Sequence, residues 1–134
     1  MNIKNKLMPI SLLKLFLGLV FLSAGIYRIF NWQSAISEIS NLNIIFPSII
    51  SAIVVILEII GGIFLIFNIQ TKKTLLTFVT FLAITLFWTL IISWKSLINN
   101  AGILFTFRAN PTDFFLHFTY LIILIYLLYN KEKI

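Results

Sequence analysis

Apolar residues run along this chain in four long stretches, at about residues 10–30, 48–68, 74–93 and 113–129, with charged and amide side chains gathered between them. Each is near the roughly 20 residues that a tilted helix needs to cross a hydrocarbon core of about 30 Å, the last being the shortest. Between the first two, Trp32, Ala35, Ile36, Ile39 and Leu42 recur at helical spacing, with Ser34, Ser37, Glu38 and Asn41 interleaved. That pattern predicts a short amphipathic helix over residues 32–42, lying in the outer interface with Trp32 as its anchor. The connection from Gln70 to Lys73 is tight and makes the second and third stretches antiparallel neighbours. The connection from Trp94 to Asn110 is the longest, and its Ile103 to Phe107 segment is apolar enough to dip into the interface. The pattern as a whole predicts an all-α fold, an integral membrane antiparallel four-helix bundle forming a single domain over residues 1–134.

Composition narrows the class further. The chain is 60% hydrophobic and 10% charged, and ten basic and four acidic residues cannot give a soluble domain of 134 residues a wet surface. The net charge of +6 does not point to nucleic acid, because the basic residues sit at the ends of the apolar stretches. Lys4, Lys6, Lys14, Lys72, Lys73, Lys131 and Lys133 fall on one side of a four-span arrangement, and only Arg28, Lys95 and Arg108 on the other. The positive-inside rule then places both termini in the cytoplasm of a multi-pass protein, most simply one of a prokaryotic cytoplasmic membrane. Ser23-Ala24-Gly25 loosely resembles a signal cleavage site, but the helix continues past it to Arg28 with a packing stripe useful only if retained. Cysteine is absent and histidine occurs once, which argues against thiol chemistry, haem and any metal site. No phosphate loop, dinucleotide fingerprint, nucleophile elbow or metalloprotease helix is present, so no self-contained catalytic motif exists.

The polar residues inside the stretches carry whatever chemistry there is. Glu58 stands in the middle of an otherwise uncharged run, Ile44 to Gln70, and costs about 2.5–3.5 kcal/mol there unless it faces protein. Ser48, Ser51, Val55, Glu58 and Gly62 share one helix face, so the carboxylate and the small residue look at the same neighbour. Ser11, Lys14, Gly18, Phe21, Gly25 and Arg28 form a second such seam on the first stretch. Plain helix packing explains both seams; a functional reading puts Arg28 at the outer mouth of a crevice between helices. Counting depth from the span ends sets Arg28 roughly 12–15 Å above Glu58, too far for a direct ion pair, and makes Ser23, Thr85 and Tyr120 the expected partners. Asn110-Pro111-Thr112-Asp113 reads as a helix start, with Asn as cap, and capping alone accounts for Asp113. His117 follows one turn later on the same face, with Tyr120 after it, so Asp113 could orient the imidazole. Thr74, Thr77, Thr80, Thr85 and Thr89 can bond back to their own helix and need no aqueous lining. Trp88, Trp94, Tyr126 and Tyr129 fit aromatic belts at the span ends.

Two segments resemble a known family. Leu17-Gly18-Leu19-Val20-Phe21-Leu22-Ser23-Ala24-Gly25, followed by Arg28, is similar to the first helix of the DoxX family. Leu57-Glu58-Ile59-Ile60-Gly61-Gly62-Ile63-Phe64-Leu65, then Thr71-Lys72, is similar to its second helix and basic turn. The resemblance covers residues 13–73 and implies a small four-helix membrane protein, with Gly18, Gly25, Arg28, Glu58, Gly61 and Gly62 as the positions carried over. It implies no single activity. Relatives include a small subunit of archaeal thiosulfate:quinone oxidoreductase, the methylamine-utilisation protein MauE, and eukaryotic membrane chaperones and cargo receptors. One expectation is therefore a non-catalytic subunit of a membrane redox complex in which Glu58, Arg28, His117, Asp113 and Tyr120 contact a quinone or a proton. Gly18, Gly25, Gly61 and Gly62 are then helix-packing positions. The alternative is an assembly factor or adaptor that grips the transmembrane helices of a client. Either reading expects a bilayer and a membrane-protein partner or a second copy of the chain, with no tightly held cofactor of its own.

Overall fold

Pro47 opens one helix and a pair of left-handed residues closes it, so the chain's own punctuation delimits its second long element. The computed structural model describes the backbone of residues 3–100 and 112–131 and the side chains of 9–95 and 116–130. The Ile103 to Phe107 segment, Arg108, Asn110 and the side chain of Asp113 lie outside the described residues. Within them the chain forms α1 (Ile3–Phe30), α2 (Trp32–Ser40), α3 (Pro47–Ile66), α4 (Thr71–Asn100) and α5 (Thr112–Lys131). Compared with the apolar stretches, α1 starts earlier and α4 continues past Ser93 to Asn100. At 28 residues α1 is about 42 Å long, more than a hydrocarbon core, so part of it reaches into an interface.

Three described helices are long and apolar enough to cross a membrane, over Pro9–Phe30, Pro47–Ile66 and Thr71–Lys95. Leu116–Asn130 is apolar but shorter. Their outward faces carry Phe16, Leu19, Ile53, Ile56, Ile84, Phe87, Ile91 and Ile122, all exposed. So much exposed hydrocarbon on every long helix suits lipid and not water. One apolar cluster, including Leu17, Phe21, Leu65, Leu75, Phe78, Leu82, Leu124 and Leu127, draws on all four long helices.

The closest packing joins α1 to α3. Gly18 lies level with Gly62 and Ile66, and Gly25 level with Glu58 and Ile59, so position falls along α3 as it rises along α1. A methyl group on Gly62 would stand 2.8 Å from both the Gly18 carbonyl oxygen and the Leu22 amide nitrogen. The missing side chains let two backbones touch, as small-residue seams in membranes do. Gly61, on the other side of α3, yields its space to the ring of Phe78 from α4. That ring stacks on Phe21 of α1, with centroids 4.0 Å apart and planes at 11°.

The ends are tied by polar contacts. Asn68 and Gln70 take positive φ, 58° and 41°, in the turn between α3 and α4. Asparagine tolerates this region well, and Asn68 also accepts a 2.6 Å hydrogen bond from the Lys14 ammonium of α1. At the opposite end α2 lays its apolar face on the protein: Ala35 is buried, and Ser51 of α3 donates to the Ala35 carbonyl at 3.0 Å. Trp88 of α4 donates its indole N–H to the Leu42 carbonyl at 2.9 Å. Its polar edge, read from the sequence as belonging to an aromatic belt, thus holds a loop of the protein instead.

Candidate functional site

The bend at Asn31 (φ −116°, ψ 51°) creates the site, because it folds α2 back over the end of α1. Along a straight helix, ten residues would separate Arg28 from Glu38 by about 15 Å. With the bend, Nη2 and Nε of Arg28 donate to Oε2 of Glu38 at 2.9 and 3.3 Å. Nη1 of the same guanidinium donates to Oε1 of Glu58. One arginine therefore joins three helices, bridging a half-exposed carboxylate on α2 to a buried one on α3.

This pairing corrects the sequence-based expectation that Arg28 lies too high to reach Glu58. Depth had been counted from the ends of the apolar stretches, whereas the register is set by the glycines. Gly25 sits against the Cβ of Glu58, so Arg28 is only three residues, about 4.5 Å of rise, further out. Helical side chains also lean towards their own N-terminus. Because α1 and α3 run in opposite directions at this contact, Arg28 leans inward and Glu58 outward, and the two lean towards each other. The proposed partners Ser23 and Thr85 play no such part. Ser23 Oγ donates to the Leu19 and Val20 carbonyls, and Thr85 Oγ1 to the Phe81 carbonyl at 2.7 Å. Thr74, Thr77, Thr80 and Thr89 are bonded back to their helix in the same manner.

Beside the ion-paired cluster lies a crevice of about 200 Å³ between α1 and α5. Arg28, Glu38 and Glu58 line it together with His117, Tyr120 and Phe21. The His117 and Tyr120 rings meet edge to face at 6.1 Å and 74°, and Tyr120 in turn tilts onto Phe21 at 6.2 Å and 58°. The candidate residues Glu58, Arg28, His117 and Tyr120 thus converge on one space. Asp113 begins the same helix as His117, but its side chain is outside the described residues. Tyr120, the third expected partner of Glu58, lines the same crevice but donates nothing to its Oε2.

Glu58 is only 4% exposed, and its Oε2 has no hydrogen-bond partner among the described residues. A buried carboxylate oxygen left in this condition carries most of its desolvation cost uncompensated. Chemically the crevice offers an acceptor, a fixed cation, an imidazole and a phenol. No group of three metal-ligating side chains occurs among the described residues.

Glu38 is the site residue that the sequence reading missed. The spacing places it on the polar face of α2, where its side chain is half exposed. The available signal was scarcity: with only four acids in the chain, an exposed one just past an intramembrane arginine is a candidate counter-ion.

The DoxX family model matches residues 10–91, more than half of the chain, and this match takes in both glycine seams, Arg28, Glu38 and Glu58. No curated protein and no solved structure matches the chain.

Proposed function

The chain belongs to the DoxX family, and from that membership we propose that it is a non-catalytic subunit of a membrane redox complex. In this reading its four long helices form an antiparallel bundle with both termini in the cytoplasm of a prokaryote. The crevice beside Glu58 receives the headgroup of a quinone or quinol from the lipid phase. The observation that carries the reading is the buried Glu58 Oε2, without a donor among the described residues, beside an imidazole, a phenol and a guanidinium. A quinol hydroxyl supplies the donor that this oxygen lacks, and a quinone carbonyl accepts from Arg28 or Tyr120. A space of about 200 Å³ suits a single substituted ring with its isoprenoid tail left in the bilayer. Glu58 is also the natural acceptor for a proton released there.

The test is to purify the protein in mild detergent and analyse the co-extracted lipid for quinone. Wild type is expected to retain quinone, and Glu58→Gln and Tyr120→Phe to lose most of it. Retention at detergent-background level in wild type would sink the proposal.

The arginine that pins three helices together favours a second reading, an adaptor that holds the transmembrane helix of a client protein. Under that reading the same purification brings down a stoichiometric membrane protein and no quinone. A homo-oligomer with neither would exclude both.

A further inference from the structure

Helices α3 and α4 follow each other through a tight turn, yet α3 packs far more extensively on α1 than on α4. A groove of about 290 Å³ opens between them. Its residues sort by depth. Gln70 and Lys73 stand at the turn, Phe64, Ile60 and Ile56 follow along α3, and Phe78 closes the floor where Gly61 leaves room. From Phe64 to Ile56 the groove extends about 12 Å along the helix, a shape for a length of acyl chain and not for a compact solute. A lateral cleft in the hydrocarbon region has to be filled, and the exposed Ile56 and Ile60 leave hydrocarbon as the fitting material.

Charge selects the headgroup. Lys73 is exposed at the mouth and is the cation that lines the groove among the described residues, while Lys14 is held by Asn68 outside it. The acids with described side chains, Glu38 and Glu58, belong to the crevice beside Arg28. The turn end of the groove therefore presents positive charge with no carboxylate lining it among the described residues, next to an apolar slot. Basic pockets between helices at a bilayer surface favour anionic lipid by about 1 kcal/mol per cation, roughly fivefold each.

We propose that the α3–α4 groove is a binding site for an anionic phospholipid, one acyl chain lying along Ile56, Ile60 and Phe64 and the phosphate at Lys73 and Gln70. The experiment is native mass spectrometry of the full-length protein in mild detergent. Palmitoyl-oleoyl phosphatidylglycerol or phosphatidylcholine is titrated separately at equal concentration. Wild type is expected to retain one phosphatidylglycerol about fivefold better than phosphatidylcholine. Lys73→Gln is expected to bring that ratio close to one. Ile60→Trp, which fills the slot from an exposed position, is expected to lower retention of both lipids. Equal retention of the two lipids by wild type overturns the proposal, as does an unchanged preference in Lys73→Gln. If Ile60→Trp fails to fold, Lys73→Gln decides alone, since an exposed lysine at a helix start is not needed for packing.

Discussion

Replacing Arg28 by Gln removes the cation that serves two carboxylates, and the consequences for Glu38 and Glu58 differ. Glu38 keeps half of its side chain in contact with the surroundings and loses little, no more than about 0.5–1 kcal/mol. The Glu58 side chain is 5% exposed and is left as an uncompensated buried acid. Removing one partner of a buried pair costs about 3–5 kcal/mol, and the 19% exposure of Arg28 argues for the lower end, about 3 kcal/mol. Glu58→Gln is milder, about 1–2 kcal/mol, because Arg28 keeps Glu38 and the amide can still accept its hydrogen bond. In the Arg28→Gln/Glu58→Gln double variant no stranded charge remains. Its loss is expected near that of Glu58→Gln alone, which leaves a coupling of about 3 kcal/mol between the sites. The assay is reversible unfolding of the purified variants by SDS titration in mixed micelles. If the double variant loses the sum of the two single losses, Arg28 and Glu58 do not touch. The glycine register that brings them together would then be wrong.

The two adjacent glycines of α3 separate in the same assay. Gly62→Ala drives a methyl group into backbone atoms on α1 and is expected to cost about 3 kcal/mol or more, because the helices themselves must part. Gly61→Ala meets only the tip of the Phe78 ring, so a loss of about 1–2 kcal/mol is expected, with Gly61→Ala/Phe78→Leu recovering part of it. Ser51→Ala combined with Trp88→Phe deletes both hydrogen bonds that clip the α2 region to α3 and α4. Faster amide exchange across residues 32–42, with global stability reduced by about 1–2 kcal/mol, is the expected result. Thr85→Val removes a hydroxyl already spent on its own helix, so stability is expected to stay within about 0.5 kcal/mol of wild type. A large loss there would mean that the hydroxyl has a partner across the interface.

The sequence already showed the helices, because membrane spans are written in long apolar runs that no tertiary contact is needed to interpret. It also showed Gly18, Gly25 and Gly62 as packing residues, since steps of three and four put them on single faces. It did not show the depth of one helix against the next. Depth is decided by which small residue meets which, and Gly25 against Glu58 shifts the pair by several ångströms from where span ends would place it. The pairing of Arg28 followed from that shift, and Glu38 from the angle of the bend at Asn31, since the break between residues 30 and 32 is legible in the pattern but its direction is not. Phe21 and Phe78 were two among fourteen phenylalanines. Only the vacancy on Gly61 singles out Phe78 as the ring that turns inward.

That inward ring gives the molecule a shared wall. Phe78 lines the groove between α3 and α4, and Phe21, stacked on it, lines the crevice beside Glu58. Two openings on different sides of the protein are thus divided by a partition two aromatic rings thick. Neither ring can shift far without losing its stacking on the other. Residues 21, 61 and 78 are accordingly constrained together by packing. A larger residue at 61 calls for a smaller one at 78, and a smaller one at 78 withdraws support from 21. Among related chains these three positions should drift together or not at all.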